Sequence, residues 1–466
     1  MEYLRWVRGK GFDRAEGRPQ VTAEESSARG VRLLLPPLWD HHGHVAALGA
    51  LLEQADLRGC PSEEAALVIA RDTASRLPVT SWLEGFGWDQ NLWGGRYPDR
   101  ASLDALFPDR PVLLRRVDGH AAWVNSAALA LGGFGEGTPD PPGGSFLRDR
   151  VGLTGILLDT AMEAVAALVP QPSGEALRRR ILAGLRRLES CGLSGVTDMG
   201  LEPPQVEALC ELDSENLLPI PVEGFAWVKP GEAGGRAPRR GTKFHLAGIK
   251  LFADGALGSR GAALREDYQD ARGARGFMLW GDGDLERVLR EARRAGLVPA
   301  IHAIGDRAAE QVISAVEACG VEGVRLEHAQ VLSGEDVTRM AAAGMVAGIQ
   351  PCHYLSDRSW APERLGERMA LAYRWGSLAR AGIELRMGTD FPIEDPAPAR
   401  NFSACALRED PSERLEMDQV LTAYAPPRWA RHFCGETLAR GESLGAWAAE
   451  PGSFRFTTLA SGVARC

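Results

Sequence analysis

The sequence predicts an α/β chain: a (β/α)8 TIM-like barrel with a long insertion and a reduced or rearranged small β-rich auxiliary domain. Three observations predict it. From residue 175 onward, charged helical runs alternate with short apolar segments bounded by glycine. Polar residues able to do chemistry stand at or just beyond the ends of those segments. Between residues 50 and 175 the alternation gives way to a stretch rich in tryptophan and glycine that is too aromatic for a disordered linker.

Taken in order, residues 1–31 are polar and weakly patterned, and Val31 to Leu38 reads as a strand that leaves regular pairing at two prolines. A helix is expected at 62–76, followed by Trp- and Gly-rich turns and the segment "GEGTPDPPGGSF". This region reads as a folded lid or substrate-facing insertion. The regular part then begins. "EALRRRILAGLRRLESCG" leads into "LSGVTDMG", and after a less regular section comes "HLAGIKLFADG". "LERVLREARRAG" precedes "LVPAIHAIG", "RAAEQVISAVEACG" precedes "VRLEHAQ", "GEDVTRMAAAG" precedes "MVAGIQP", and "ERMALAYRWGSLARAG" precedes "IELRMGTDFP". Helical period followed by a short strand, repeated, indicates parallel β/α units. Their number and the chain length favour a closed barrel over an open sheet. The domain plan is therefore residues 36–430 as the barrel, including the insertion at 50–175, with 1–35 and 431–466 as the auxiliary unit.

Composition narrows the partners. The 466 residues hold 53 Lys and Arg against 62 Asp and Glu, so no broad nucleic-acid surface is expected. No apolar span is long enough for a membrane helix, and the N-terminus lacks the apolar centre of a secretory signal. The eight cysteines are scattered without a paired short spacing. The expected setting is cytoplasmic and the expected partner a small molecule; a homodimer is compatible with the reading.

The stretch "WDHHGHVAALG" places His41, His42 and His44 directly after an apolar strand. Residues i and i+2 of a strand face the same way, so His42 and His44 can address one ion, while His41 points to the other side unless a bend intervenes. His302, His328 and Asp390 fall at or just past the ends of later strands, and Lys250 lies within "AGIKLF". Taken singly, each has a plain structural explanation. A lone histidine is more often a hydrogen-bonded core residue, and Asp390 suits a turn. Lys250 is the exception, because a lysine inside an apolar strand is expensive to bury unless paired or chemically changed. In a barrel the strand ends converge at one mouth, and the set His42, His44, His302, His328 and Asp390 then becomes a site of nitrogen and oxygen donors suited to zinc or a related divalent ion, with Lys250 the odd member beside it.

At these residues the chain resembles the amidohydrolase superfamily, and more narrowly amidohydrolase family 3, the branch that contains N-substituted formamide deformylase. The resemblance covers roughly residues 36–430. It is carried by "DHHGH" at 40–44, "IKLFADGALGSR" at 249–260, "IHAIGDRA" at 301–308, "RLEHAQ" at 325–330 and "MGTDFPIEDP" at 387–396. "GWDQNLWGG" at 87–95 and "VDGHAAWVNSAAL" at 117–129 narrow it to the branch.

The resemblance implies two divalent metal ions, zinc by default. His42 and His44 would hold the more buried ion with Asp390 beside it, and His302 and His328 the second. Lys250 would be N6-carboxylated and bridge both, which resolves its burial. A bridging hydroxide would attack the carbonyl carbon of an amide-like substrate, with Asp390 taking its proton and delivering it to the leaving nitrogen. His120 would contact the substrate or act in catalysis by stabilising its polarised oxygen, His353 would contact the substrate or support the metal ligands, and Trp88, Trp93 and Trp123 are candidates to line the pocket. The activity implied is hydrolysis of an amide or N-formyl-like C–N bond in a small molecule. Deamination, ester or phosphoester hydrolysis on the same scaffold, and a non-catalytic small-molecule binding protein, are the alternatives. The chain departs from the family at its ends: only about 35 residues precede the His-x-His pair, and "GESLGAWAAEPGSFRFTTLASGVARC" is an altered closing segment.

Overall fold

The computed structural model describes residues 4–7, 11–14, 31–441 and 454–458. Eight parallel strands run in chain order around a ring: Trp39–Gly43, Gly195–Leu201, Val222–Trp227, Phe244–Phe252, Val298–Ala303, Arg325–His328, Val346–Ile349 and Glu384–Met387. The ring closes where the chain just past the eighth strand meets the end of the first. Asp390 N–H donates to His42 O at 2.7 Å, and His44 N–H to Phe391 O at 2.9 Å. The expected (β/α)8 barrel is therefore the observed fold.

The helices between strands form for reasons visible in their sequences. In Gly174–Ser190 the buried residues Leu177, Ile181, Leu185 and Leu188 recur at helical spacing, while the arginines occupy the other positions. Gly184 on the same stripe permits close packing, since a Cβ there would meet Val45 O at 2.5 Å. Helix Gly334–Ala342 begins with a capping box, Ser333 accepting from Asp336 N–H and Asp336 accepting in return. Asp306–Cys319 ends at Gly320 in the left-handed conformation that a C-terminal cap requires.

One expected helix is divided. "ERMALAYRWGSLARAG" forms a 3-10 turn at Gly366–Leu371 and a separate helix at Trp375–Arg380. The break has a tertiary cause. Leu332 N–H donates to Leu371 O and Tyr373 N–H to Gln330 O, so the intervening backbone pairs with the loop after the sixth strand instead of continuing its own helix.

The chain divides into two compact units, Met1–Leu48 with Leu177–Cys466, and Gly49–Ala176. Besides the barrel, the first contains a five-stranded sheet in the order Gly11–Arg14, Leu4–Val7, Val31–Leu35, Thr437–Gly441, Phe454–Thr458, which joins strands from both ends of the sequence. The second unit, the insertion, is a folded six-stranded mixed sheet with flanking helices, one of them Glu63–Ser75 capped by Ser62. Its core contains Trp88 and Trp123, both fully buried. No helix among the described residues is long and apolar enough to cross a membrane.

The seam of the barrel is tight. A Cβ on Gly43 would lie 2.1 Å from the Phe391 ring, which itself is buried. Gly43→Ala is expected to lower stability by about 1–3 kcal/mol, the usual cost of overpacking, read as a lower thermal midpoint of the purified protein.

Candidate metal centre

The first strand delivers its histidines through a bulge. Val196 of the second strand opposes Asp40, yet Asp198, two residues on, opposes Gly43, three residues on. His41 and His42 are both buried, as is the rest of this strand. They part company there. His41 Nε2 lies 3.0 Å from Ala425 O, and the residue borders a cavity of about 190 Å³ together with Arg325 and Arg386. His42 joins the ligand group.

His42, His328 and Asp390 present donor atoms that all lie within 4.8 Å of one another. His44 Nε2 is 3.1 Å from Asp390 Oδ1, and His42 Nε2 is 3.5 Å from the same oxygen. His302 packs against His328 with ring centroids 4.4 Å apart. The tightest grouping thus joins His42 and Asp390 of the first metal set that the resemblance implies with His328 of the second. His328 and Asp390 adopt positive φ, 71° and 58°, an uncommon backbone for side-chain-bearing residues. Such strain at the ends of strands is how the chain turns these groups toward one point.

Lys250 is fully buried on the fourth strand, and its Nζ has no hydrogen-bond partner. Burial pulls its pKa down to about 8. His328 Nδ1 and His353 Nε2 are likewise buried atoms without a partner. His353 Nε2 stands 3.8 Å from Asp390 Oδ2, and its ring lies nearly parallel to His328 at 6.0 Å. Burial, helped by the Lys250 charge, pushes His42 to about 4 and His302 to about 3. Neutral imidazoles keep a lone pair for an ion. Burial alone would raise Asp390, but His42, His44 and His328 hold it well below the usual carboxylate range. Neutral imidazoles, an ionised carboxylate and an orphaned amine in one interior fit divalent metal ions in donor type.

Four further acidic residues belong to the site's framework. Glu327, inside the quoted "RLEHAQ", lies with Oε2 2.6 Å from His42 Nδ1. Asp40 accepts from His42 N–H at 3.0 Å and from the Thr389 hydroxyl at 2.7 Å, tying the first strand to the segment that carries Asp390. Asp254 accepts from Ala263, Ile304 and Gly305 N–H, and lies 3.4 Å from His302 Nε2. Asp198 accepts from Val45 N–H at 3.3 Å, next to His44. Of these, Asp40 stands directly before the histidine motif. The other three sat inside apolar strands or at their ends, the same signal that marked Lys250.

The remaining candidates lie in the insertion. His120 is exposed on a turn, its Nδ1 2.8 Å from Asp159 Oδ1. Trp88, Trp93 and Trp123 form one aromatic group, with centroids 6.1 Å and 6.3 Å apart along the series. Each indole N–H is satisfied by a backbone carbonyl, of Leu114, Cys60 and Asp99 respectively. As they stand, the fully buried Trp88 and Trp123 have no exposed ring to offer a ligand.

A parallel barrel that gathers buried histidines, an ionised aspartate and a lysine at its strand ends defines a metal-dependent hydrolase. The chain belongs to the amidohydrolase family, whose model matches residues 28–434. It is 34% identical to the YtcJ protein of Bacillus subtilis over 424 residues, 85% of this chain and 77% of that one. It is 24% identical over 458 residues to the N-substituted formamide deformylase of Arthrobacter pascens, covering 88% and 83% of the two chains. The crystal structure of an uncharacterized metal-dependent hydrolase from Pyrococcus furiosus superposes with a TM-score of 0.74 at 26% identity, covering 90% of this chain and 91% of that one.

Lys250 supplies a test of the site. With its pKa drawn from 10.5 to about 8, the folded state holds the proton less tightly than the unfolded state. At pH 7 the lysine therefore opposes folding, and this penalty fades as pH rises from 8 to 10.5. Metal-free Lys250→Met is expected to melt no lower than the metal-free parent at pH 7, and its advantage should shrink above pH 8. Its metal content after reconstitution should fall, with no recovery on adding bicarbonate.

Proposed function

We propose that the protein hydrolyses an amide or N-formyl C–N bond of a small molecule, using two divalent ions, zinc by default, with Lys250 carboxylated at its amino group. The observation that carries this reading is the orphaned Nζ of Lys250 among His42, His302, His328 and Asp390. A carbamate there would replace a cation by an anion and give two ions a shared ligand. The likeness to an N-substituted formamide deformylase supports the choice of bond.

When bound, the ions would supply an acidified water and a positive charge facing the substrate carbonyl oxygen. The chain's own groups do the rest. Asp390, ionised and hydrogen-bonded to His44, would take a proton and return it to the leaving nitrogen. His353, with a partnerless Nε2 beside Asp390, is assigned to the substrate or to the ligands' support. His120 is proposed as a substrate contact from the insertion. Trp93, partly exposed, is assigned the same role, with Trp88 and Trp123 holding it in place. A cytoplasmic setting is supported by the seven described cysteines, all free thiols.

A panel of N-substituted formamides, simple amides, amino-heterocycles and esters, assayed for formate, amine, ammonia and alcohol, tests the reading. Amine and carboxylate or formate should appear in equal amounts. Asp390→Asn should lower kcat by about 100-fold or more. Ammonia from amino-heterocycles alone would replace the proposal with deamination, and alcohol alone with ester hydrolysis.

A further inference from the structure

The sixth strand carries two charged residues at alternate positions, Arg325 and Glu327, just before the ligand candidate His328. Both are buried, Glu327 completely. One carboxylate oxygen, Oε2, lies 2.6 Å from His42 Nδ1. The other, Oε1, lies 2.7 Å from Arg325 Nε, an ion pair whose N–H is not aligned on the oxygen. Arg325 is itself held: its Nη2 donates to His41 O at 2.8 Å, and its guanidinium stands 5.3 Å from the centre of the Phe225 ring.

The neighbouring strand completes the cradle. Gly348 faces the carboxylate, and a Cβ there would fall 2.1 Å from Oε2. Three strands therefore confine the glutamate to one position, with one oxygen on the histidine and the other on the arginine. On the far side of the imidazole, His42 Nε2 points into the ligand group, 3.5 Å from Asp390 Oδ1.

We propose that Glu327 is a positioning residue for His42: by accepting the Nδ1–H it selects the tautomer whose Nε2 carries the lone pair, and Arg325 fixes the carboxylate that makes the choice. The inference rests on His42 being a metal ligand. A carboxylate only accepts, so the histidine nitrogen facing it must be the one that bears hydrogen. Partners of this kind orient ligating histidines and strengthen their hold on metal. A buried ion pair with no such role would leave the metal affinity of the folded protein unchanged.

Glu327→Gln separates the two. The Arg325 guanidinium attracts the amide carbonyl and repels the NH2 group, so the NH2 turns to His42 Nδ1. A donor there demands an acceptor, and the histidine is driven to the tautomer with hydrogen on Nε2. Zinc affinity of the full-length protein, measured by competition with a chelator, should fall about 10- to 100-fold. Arg325→Met combined with Glu327→Gln removes that orientation and should recover most of the loss. In metal-free parent labelled with 15N-histidine, the His42 ring, identified by its absence in His42→Gln, should be protonated at Nδ1.

A Glu327→Gln protein that binds zinc within about twofold of the parent, or a parent His42 protonated at Nε2, overturns the proposal. Should Glu327→Gln fail to fold, the double variant and the parent's ring protonation decide it. A parent that takes up no zinc at all defeats the metal reading itself, and is thereby told apart from failure of the tautomer proposal.

Discussion

Asp390 N–H donates to His42 O across the one join in the barrel that is not a full strand pair. That bond ends the sheet, since a closed ring leaves no edge to be paired. It also sets the chemistry, because the two residues it joins both carry ligand candidates. Asp40 reinforces the join from behind, accepting from His42 N–H and the Thr389 hydroxyl. Gly43 lets the Phe391 ring lie against the strand, and Gly388 lets His42 do the same, since a Cβ on Gly388 would meet His42 N at 2.4 Å. Closing the fold and assembling the site are one event in this chain.

The interior so enclosed is unusually charged, and its carboxylates divide by neighbour. Burial pushes every one of them upward. For Glu327 it is outweighed by Arg325 and His42, which hold the group at about 2, and Asp390 stays low among its histidines. Asp254, accepting mainly from backbone N–H groups, is left at about 7, as are Asp40 and Asp198. The two groups held low are those that meet the ring nitrogens of His42 and His44. The three raised ones hold backbone, and serve by fixing where loops and strand ends run. Charge is thus held firmly where imidazole nitrogens face a carboxylate and made costlier where the carboxylate accepts mainly from backbone.

Much of this was legible in the sequence, for reasons particular to each residue. Helix-then-strand periodicity is local, so the barrel strands and most helices could be read directly. His42, His44, His302, His328 and Asp390 stood at strand ends, where a barrel must bring them together, and Lys250 was conspicuous as a charge in an apolar strand. Glu327 lies within "RLEHAQ", but its role is not legible there, because it depends on His42, 285 residues away. The break at Tyr373 was invisible for the same reason: the loop at Gln330 to Leu332 supplies the competing hydrogen bonds. His41 turned on a bulge, which the five letters "WDHHG" do not encode. Long-range backbone register is what periodicity omits.

Lys250 distinguishes the chemistries open to such a barrel. A site for one ion gains nothing from a lysine, whose ammonium would repel the metal. A site for two gains a bridging anion if the amine reacts with carbon dioxide, and only the neutral amine can react. Exposed lysine is almost wholly protonated at neutral pH. With its pKa drawn to about 8 by burial, roughly a tenth of the Lys250 side chains are neutral at pH 7. The reaction would release a proton and leave a carbamate, an anion whose own burial would need bound cations to offset it. The same apolar strand that makes an unmodified lysine unfavourable thereby suits it to the role proposed.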